Sequence, residues 1–146
     1  MSLKIEFNKD QYEGLIKLVY LGNWMVNAYR IDDCLKEFEE IEEYVLSFSD
    51  EMGFGNYVVY DKKFKKHFPT RKFEEEVDVY VDEYNDEIFW DELIDRLAKR
   101  EFINKYGQEA IRKMDLEERF EKLQPFINKY EREFEKYGIE NLVIKK

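Results

Sequence analysis

Apolar side chains recur at helical spacing over four long stretches of the chain, and the first two lie before residue 53. From Asn8 or Asp10, either of which can cap a helix, the first stretch runs to about Arg30 and is apolar on nearly every face of its middle part, residues 15–26. A second helix is predicted from Asp32 and Asp33 to about residue 52, with its apolar positions in one stripe. After it, residues 57–60 predict an extended segment, and residues 61–68 a brief helix that Pro69 closes.

The second half of the chain repeats the helical pattern twice more. Residues 72–106 predict a helix whose best break is at Asn85–Asp86, although alternating valines leave a strand over 77–81 as an alternative. Asp115, with Glu118 three residues later, predicts the cap of a last helix that ends at Gly138. Apolar residues of that helix recur at spacings of four and three over 116–137, which is a heptad seam.

These elements predict a mainly α domain of about five helices in an irregular bundle. Short apolar segments at both ends of the chain, residues 3–7 and 141–144, also allow a small two-stranded β ribbon that joins the N- and C-terminal segments. Because no composition break or linker interrupts the pattern, residues 1–146 are interpreted as a single acidic helical domain.

Composition narrows the class of protein. The 146 residues carry a formal net charge of −10, and 17% are aromatic, which is typical of a folded chain rather than an acidic disordered tail. A single Cys34 excludes an internal disulfide framework and a cysteine-based zinc site. With His67 as the only histidine and no glycine-rich phosphate loop, no nucleophile–base set and no cofactor are predicted. No signal peptide or membrane span is expected, so the predicted location is cytoplasmic.

Charge is divided along the chain. Residues 62–73, here called the basic island, hold six cations and no acid, interleaved with Phe64, His67, Phe68 and Phe73; the cations are Lys62, Lys63, Lys65, Lys66, Arg71 and Lys72. Residues 74–95, here called the acidic run, hold eleven acids and no base. The basic island can bind phosphates or neutralise the acidic run, and the acidic run can imitate a nucleic-acid backbone.

Two carboxylate patterns lie on predicted helices. Residues 39–43 read E-E-x-x-E, and residues 92–95 read E-x-x-D, with Glu40, Glu43, Glu92 and Asp95 as the candidate metal ligands. The pattern resembles the Mg²⁺-binding pattern of the all-α nucleotide pyrophosphohydrolases of the MazG type, in which carboxylates of facing helices hold Mg²⁺ against a triphosphate. Helical geometry argues against it here, because Glu39 and Glu43 point away from the apolar stripe of their own helix.

The favoured function is a non-enzymatic protein-interaction or assembly subunit. The expected partner is a second copy of the chain, in a homodimer, or another protein. The alternatives are nucleic-acid or polyphosphate binding through residues 62–73, and nucleic-acid mimicry by residues 74–95. A Mg²⁺-dependent nucleotide pyrophosphohydrolase is the third alternative. The sequence favours a protein that is not an enzyme but leaves both interpretations open.

Overall fold

The computed structural model describes residues 4–144 and confirms a mainly α fold with one small antiparallel sheet. Within these residues there are five helices and two strands, in the order α1 Lys9–Asn27, α2 Lys36–Leu46, β1 Val58–Asp61, β2 Lys66–Pro69, α3 Arg71–Tyr106, α4 Gln108–Lys113 and α5 Leu116–Tyr137. No helix in this part of the chain combines the length and apolar character needed to cross a bilayer.

The first helix begins where the sequence predicts. The Asn8 side chain accepts a hydrogen bond from the Gln11 backbone, and the Gln11 side chain accepts one from the Asn8 backbone, which completes a capping box. Within this chain the apolar middle of α1 is only partly covered, since Leu18 and Met25 are 68% and 54% exposed. Only part of its apolar surface faces the core.

The second helix begins later than predicted, and neither Asp32 nor Asp33 caps it. Its N-cap is Leu35, which forms no side-chain capping hydrogen bond. Asn27 at the end of α1 fixes this residue instead, since its Oδ1 accepts the Leu35 N–H at 2.8 Å and its Nδ2 donates to the Leu35 carbonyl at 3.1 Å. A distant amide therefore replaces the local cap.

Residues 61–68 form no helix, so that prediction is wrong. The Asp61 side chain accepts the N–H groups of Lys63 and Phe64 at 2.7 and 3.0 Å, and Lys65 has a positive φ of 53°. Both features reverse the chain, and β2 then pairs with β1 in an antiparallel register that joins Val58 to Pro69.

The ribbon predicted at the termini is therefore formed elsewhere, by β1 and β2. Within the described residues, segments 4–7 and 141–144 contain no strand, while residue 3 of that prediction lies outside the described part. Ile5 and Phe7 line a groove with α1 and α2, and Leu142 and Val143 line one with α3 and α5. All four side chains are exposed there, from 42% for Phe7 to 77% for Val143.

The third helix is continuous, which overturns both the break at Asn85–Asp86 and the strand over 77–81. It ends at Tyr106 because Gly107 has a φ of 78°, after which the unpredicted short helix α4 begins. The cap at Asp115 and the stop at Gly138 are confirmed for α5.

By their internal contacts the residues fall into two compact units, Met1–Asp82 and Glu83–Lys146, and α3 contributes to both. The first unit has a core of eight buried residues from α1, α2, β1, the loop before β1 and the start of α3: Tyr12, Ile16, Val45, Leu46, Phe54, Val58, Phe73 and Val77. In the second, Ala98 packs with Tyr130 and Phe134 of α5. The single domain predicted for residues 1–146 stays a prediction.

Candidate functional site

A cavity of about 420 Å³ lies in the first unit, between α1, α2 and β2. Its walls combine aromatic, carboxylate and amide side chains with one imidazole and one ammonium group. The polar and aromatic residues that line it are Tyr20, Asn23, Trp24, Asn27, Cys34, Glu39, Glu42, Glu43, Lys66, His67, Phe68 and Glu74. A cavity of this volume with converging polar groups has the general form of a small-molecule site.

One wall is a chain of amide hydrogen bonds. Asn27 Nδ2 donates to Asn23 Oδ1 at 2.7 Å, and Asn23 Nδ2 donates in turn to the Glu42 carboxylate. Since Asn27 also holds Leu35, the network extends from the start of α2 to the cavity. Partly buried polar groups that satisfy one another in this way fix side-chain positions in the free protein.

A second wall joins α2 to β2. Glu43 accepts the backbone N–H of His67 through Oε2 at 2.6 Å, and its Oε1 lies 2.8 Å from Nδ1 of the His67 ring. Both side chains are about three-quarters buried. The sequence-based expectation that Glu43 points to solvent is wrong, because β2 covers the face of α2 that lies away from the apolar stripe.

Glu42 has a strongly perturbed acidity. The pKa of its carboxyl is raised to about 7, mainly by burial; the charges of Glu39 and Glu43 act in the same direction, and the hydrogen bond from Asn23 opposes the rise. Glu42 therefore holds its proton over a range in which an ordinary glutamate has lost it. Perturbed acids of this kind are typical of functional sites.

Carboxylates outnumber cations around the cavity. Glu39, Glu42, Glu43 and Glu74 face one ammonium group, that of Lys66, and the His67 imidazole. The aromatic walls come from Tyr20, Trp24 and Phe68. The combination of negative charge with aromatic faces suits a cation that also carries an apolar body.

The four predicted metal ligands have separate surroundings. Glu40 is exposed and Glu43 binds His67, while Glu92 pairs with Arg96 at 2.8 Å and Asp95 with Lys99 at 2.7 Å. Among residues 4–144, no group of three or more histidine, cysteine or acidic side chains has an arrangement that could hold a metal ion. The metal-site hypothesis stays a prediction.

The basic island occupies the loop between β1 and β2, β2 itself and the first turn of α3. All six cations are exposed, and Phe64 is 61% exposed, whereas Phe73 is fully buried. Of the six, Arg71 alone has an ion pair among the described residues, with Glu75 at 2.7 Å. Lys63 instead lies over the ring of Phe64, and Lys72 over the ring of Tyr57. In both pairs the lysine Nζ is 5.3 Å from the ring centroid.

The acidic run forms most of the first two-thirds of α3. Residues 82–89 are exposed on every face of the helix, including the carboxylates of Asp82 and Asp86, while Asp78 accepts the Tyr20 hydroxyl at 3.1 Å. The mimicry hypothesis stays a prediction.

The cavity was not predicted from the sequence. Its visible signal is the pair Asn23 and Asn27, two amides one helical turn apart in the most apolar stretch of the chain. Amides at such positions are costly unless they are hydrogen-bonded, which indicates a specific polar network. Comparisons with protein-family models, with curated proteins and with solved structures find no match to this chain.

Proposed function

We propose that this chain is a self-associating assembly subunit, and that the helical hairpin of α3 and α5 supplies the contact with a second copy. The observation that supports the proposal is the small core of the second unit. Within its described residues four side chains are buried, namely Ala98, Phe102, Tyr130 and Phe134. Eleven large apolar side chains of the same unit are exposed, from Tyr84 to Ile144.

Because so few side chains of the second unit are buried, the hydrophobic effect contributes little to its free energy of folding. A unit of about 60 residues is marginally stable even when it is compact, and two helices leave one apolar side of each without cover. Helical hairpins resolve this by pairing into bundles. A second copy of the chain is the simplest source of matching apolar surface.

The seam of α5 indicates where the contact begins. Its later positions, Tyr130 and Phe134, are buried, whereas Leu116 and Phe120 at its start are 82% and 65% exposed. The difference follows from Gly107, which ends α3 before the chain reaches the first turns of α5. The same apolar stripe therefore has a partner along one part and is uncovered along the other.

Sedimentation equilibrium at micromolar concentration tests the proposal, with an expected mass of about twice 18.0 kDa. The double variant Leu116→Glu/Phe120→Glu should sediment as a monomer, because two charges would be buried in the contact. Leu18→Glu/Met25→Glu is the matched control, since it places the same charges at exposed apolar positions of α1 and should stay dimeric. A monomeric parent chain would sink the proposal, and a control that alone dissociates would move the contact to α1.

A second candidate function has its own observation, the exposed cations of the basic island. Five of the six have no carboxylate partner among the described ion pairs, and Phe64 beside them is largely exposed. Cations and aromatic rings together bind single-stranded nucleic acids or polyphosphates. Fluorescence anisotropy with a labelled single-stranded oligonucleotide at low salt should show binding that Lys62→Gln/Lys63→Gln/Lys66→Gln abolishes, and Arg96→Gln/Lys99→Gln/Arg100→Gln does not.

A further inference from the structure

The cavity between α1, α2 and β2 plays no part in the proposed self-association, and its chemistry points to a ligand of its own. We propose that it binds a small organic cation, a molecule with a guanidinium or primary ammonium group on a short apolar body. The inference rests on the walls of the cavity, on the charges that face it and on the order of its polar network.

Charge selects the sign of the ligand. The four carboxylates come from two elements, Glu39, Glu42 and Glu43 from α2 and Glu74 from α3. Glu43 is committed to His67 by two hydrogen bonds, so Glu39, Glu42 and Glu74 are the acids that a ligand can engage. An anion would meet the carboxylates of Glu39 and Glu74, and that of Glu42 once it ionises above about pH 7, with Lys66 as the opposing ammonium group. A cation would be attracted by the same carboxylates.

The aromatic walls select an organic cation rather than a bare metal ion. Tyr20 and Trp24 come from α1 and Phe68 from β2, so aromatic side chains line two sides of the cavity. Aromatic faces attract ammonium and guanidinium groups and pack against methylene chains, but they offer a metal ion no ligand atom. A volume of about 420 Å³ suits a molecule of metabolite size.

The polar network is ordered before the ligand arrives. Asn23 holds Glu42, and Asn27 holds Asn23 and the start of α2, so the carboxylate does not have to be positioned at the moment of binding. Preorganisation of this kind lowers the entropic cost of association. The site is therefore built from α1 and α2 together, the two helices with the most extensive mutual packing in the first unit.

Proton release accompanies binding. The free protein keeps Glu42 protonated up to about pH 7, and a cation beside it favours the carboxylate. The other titratable and amide groups that line the cavity with Glu42 are Tyr20, Asn23 and Asn27 of α1, Cys34 before α2, Glu39 and Glu43 of α2, Lys66 and His67 of β2, and Glu74 of α3. A Glu42→Gln variant isolates the contribution of Glu42.

Isothermal titration calorimetry with agmatine, which carries both a guanidinium and an ammonium group, tests the proposal. Saturable binding at one site is expected, about tenfold tighter at pH 8 than at pH 6 because the ionised fraction of Glu42 rises over that range. The uncharged 1,5-pentanediol should not bind. No saturable agmatine binding at pH 8, or equal binding of the diol, would overturn the proposal.

Matched variants separate the cavity from general attraction to an acidic chain. Glu39→Gln/Glu42→Gln should weaken the affinity for agmatine at least tenfold, and Trp24→Leu should weaken it several-fold. Agmatine should also quench the fluorescence of Trp24 in the parent chain, and this change should be absent from Trp24→Leu. Asp82→Asn/Asp86→Asn removes the same two charges from the exposed part of α3 and should leave affinity within about twofold. Equal losses in the two double variants would show that agmatine binds only the overall negative field.

Folding and oligomeric state are controlled separately. Glu42→Gln should melt at or above the temperature of the parent chain, so lost binding cannot be assigned to unfolding. Leu116→Glu/Phe120→Glu should bind agmatine normally, because neither residue lines the cavity. A monomeric chain would therefore not contradict agmatine binding, and absence of agmatine binding would not contradict self-association.

Discussion

Oε1 of Glu43 lies 2.8 Å from Nδ1 of His67, and its second oxygen accepts the backbone N–H of the same residue at 2.6 Å. Two hydrogen bonds from one carboxylate thus fasten β2 to α2 and form one wall of the cavity. Glutamate on a helix and histidine in a strand 24 positions later give no sign of this relationship in the sequence, because neither belongs to an apolar stripe.

Glu42 should make the stability of the chain depend on pH. Because its pKa is about 7 in the folded state and near 4.3 when unfolded, the folded state binds more protons between these values. Stability should therefore fall as pH rises from about 4.5 to 7. Glu42→Gln should remove this slope and raise the free energy of unfolding at pH 8 by about 1–2 kcal/mol, after allowance for solvent screening. Urea unfolding at pH 5 and pH 8 measures both effects, and an unchanged slope in the variant would contradict the prediction.

Asn27→Ala should destabilise the first unit. The substitution leaves the partly buried N–H and carbonyl of Leu35 without their partner and releases Asn23, at a cost of about 1–3 kcal/mol. Asn85→Ala is the matched control, an exposed amide on α3 that should shift the unfolding free energy by less than about 0.5 kcal/mol. Chemical denaturation followed by circular dichroism compares the two, and equal losses would argue against the capping role of Asn27.

Lys65 has a left-handed backbone conformation in the turn between β1 and β2. A residue with a Cβ is strained there by about 1 kcal/mol, so Lys65→Gly should be neutral or stabilising and Lys65→Val destabilising. Thermal melts of the two variants give the order directly. A glycine variant less stable than the valine variant would show that the turn has a different conformation in solution.

Phe73 and Phe64 are a matched pair within the basic island. Phe73 is fully buried beside Tyr20 and Tyr57, with ring centroids 5.4 Å from each, whereas Phe64 is 61% exposed. Phe73→Ala should cost about 3–5 kcal/mol because it opens a cavity in the core, and Phe64→Ala should cost less than about 0.5 kcal/mol. Denaturant midpoints with a common slope provide the comparison, and similar costs would contradict the assigned core.

Replacement of Lys62, Lys63, Lys65 and Lys66 by glutamine tests what the basic island does for stability. All four are exposed, and the described ion pairs do not include them, so the combined effect at low salt should be within about 1 kcal/mol. This expectation differs from simple neutralisation of the acidic run, which predicts a larger loss that shrinks as salt screens the excess acids. Melts across ionic strength distinguish the two.

The structure also changes which variants can test self-association. The heptad seam alone favours Tyr130 or Phe134 as the site of a disruptive aspartate, but both are buried against α3 within the hairpin. A charge there would unfold the second unit whether or not a dimer exists. Leu116 and Phe120 carry the same seam at exposed positions, so they report on association without that ambiguity.

Features that depend only on neighbouring residues could be predicted from the order of amino acids alone. Asn8 and Asp115 start helices and Gly138 ends one, because a cap needs only a side chain within three positions or a permitted φ. The seam of α5 and the mainly α class follow from apolar spacing, which is a local property of the helix. The exposure of the cations in the basic island could also be predicted, because burying a charged side chain without a partner costs free energy.

Tertiary structure decided the rest. Residues 61–68 were expected to be helical, but Asp61 and Lys65 form a turn, and β1 and β2 pair on either side of it. Asn27 caps a helix eight residues away, and β2 converts an apparently outward Glu43 into a buried wall. The acidity of Glu42 depends on burial and on charges from several elements at once. Such long-range contacts leave no periodic pattern in the sequence, because they form only when α1, α2 and the two strands pack together.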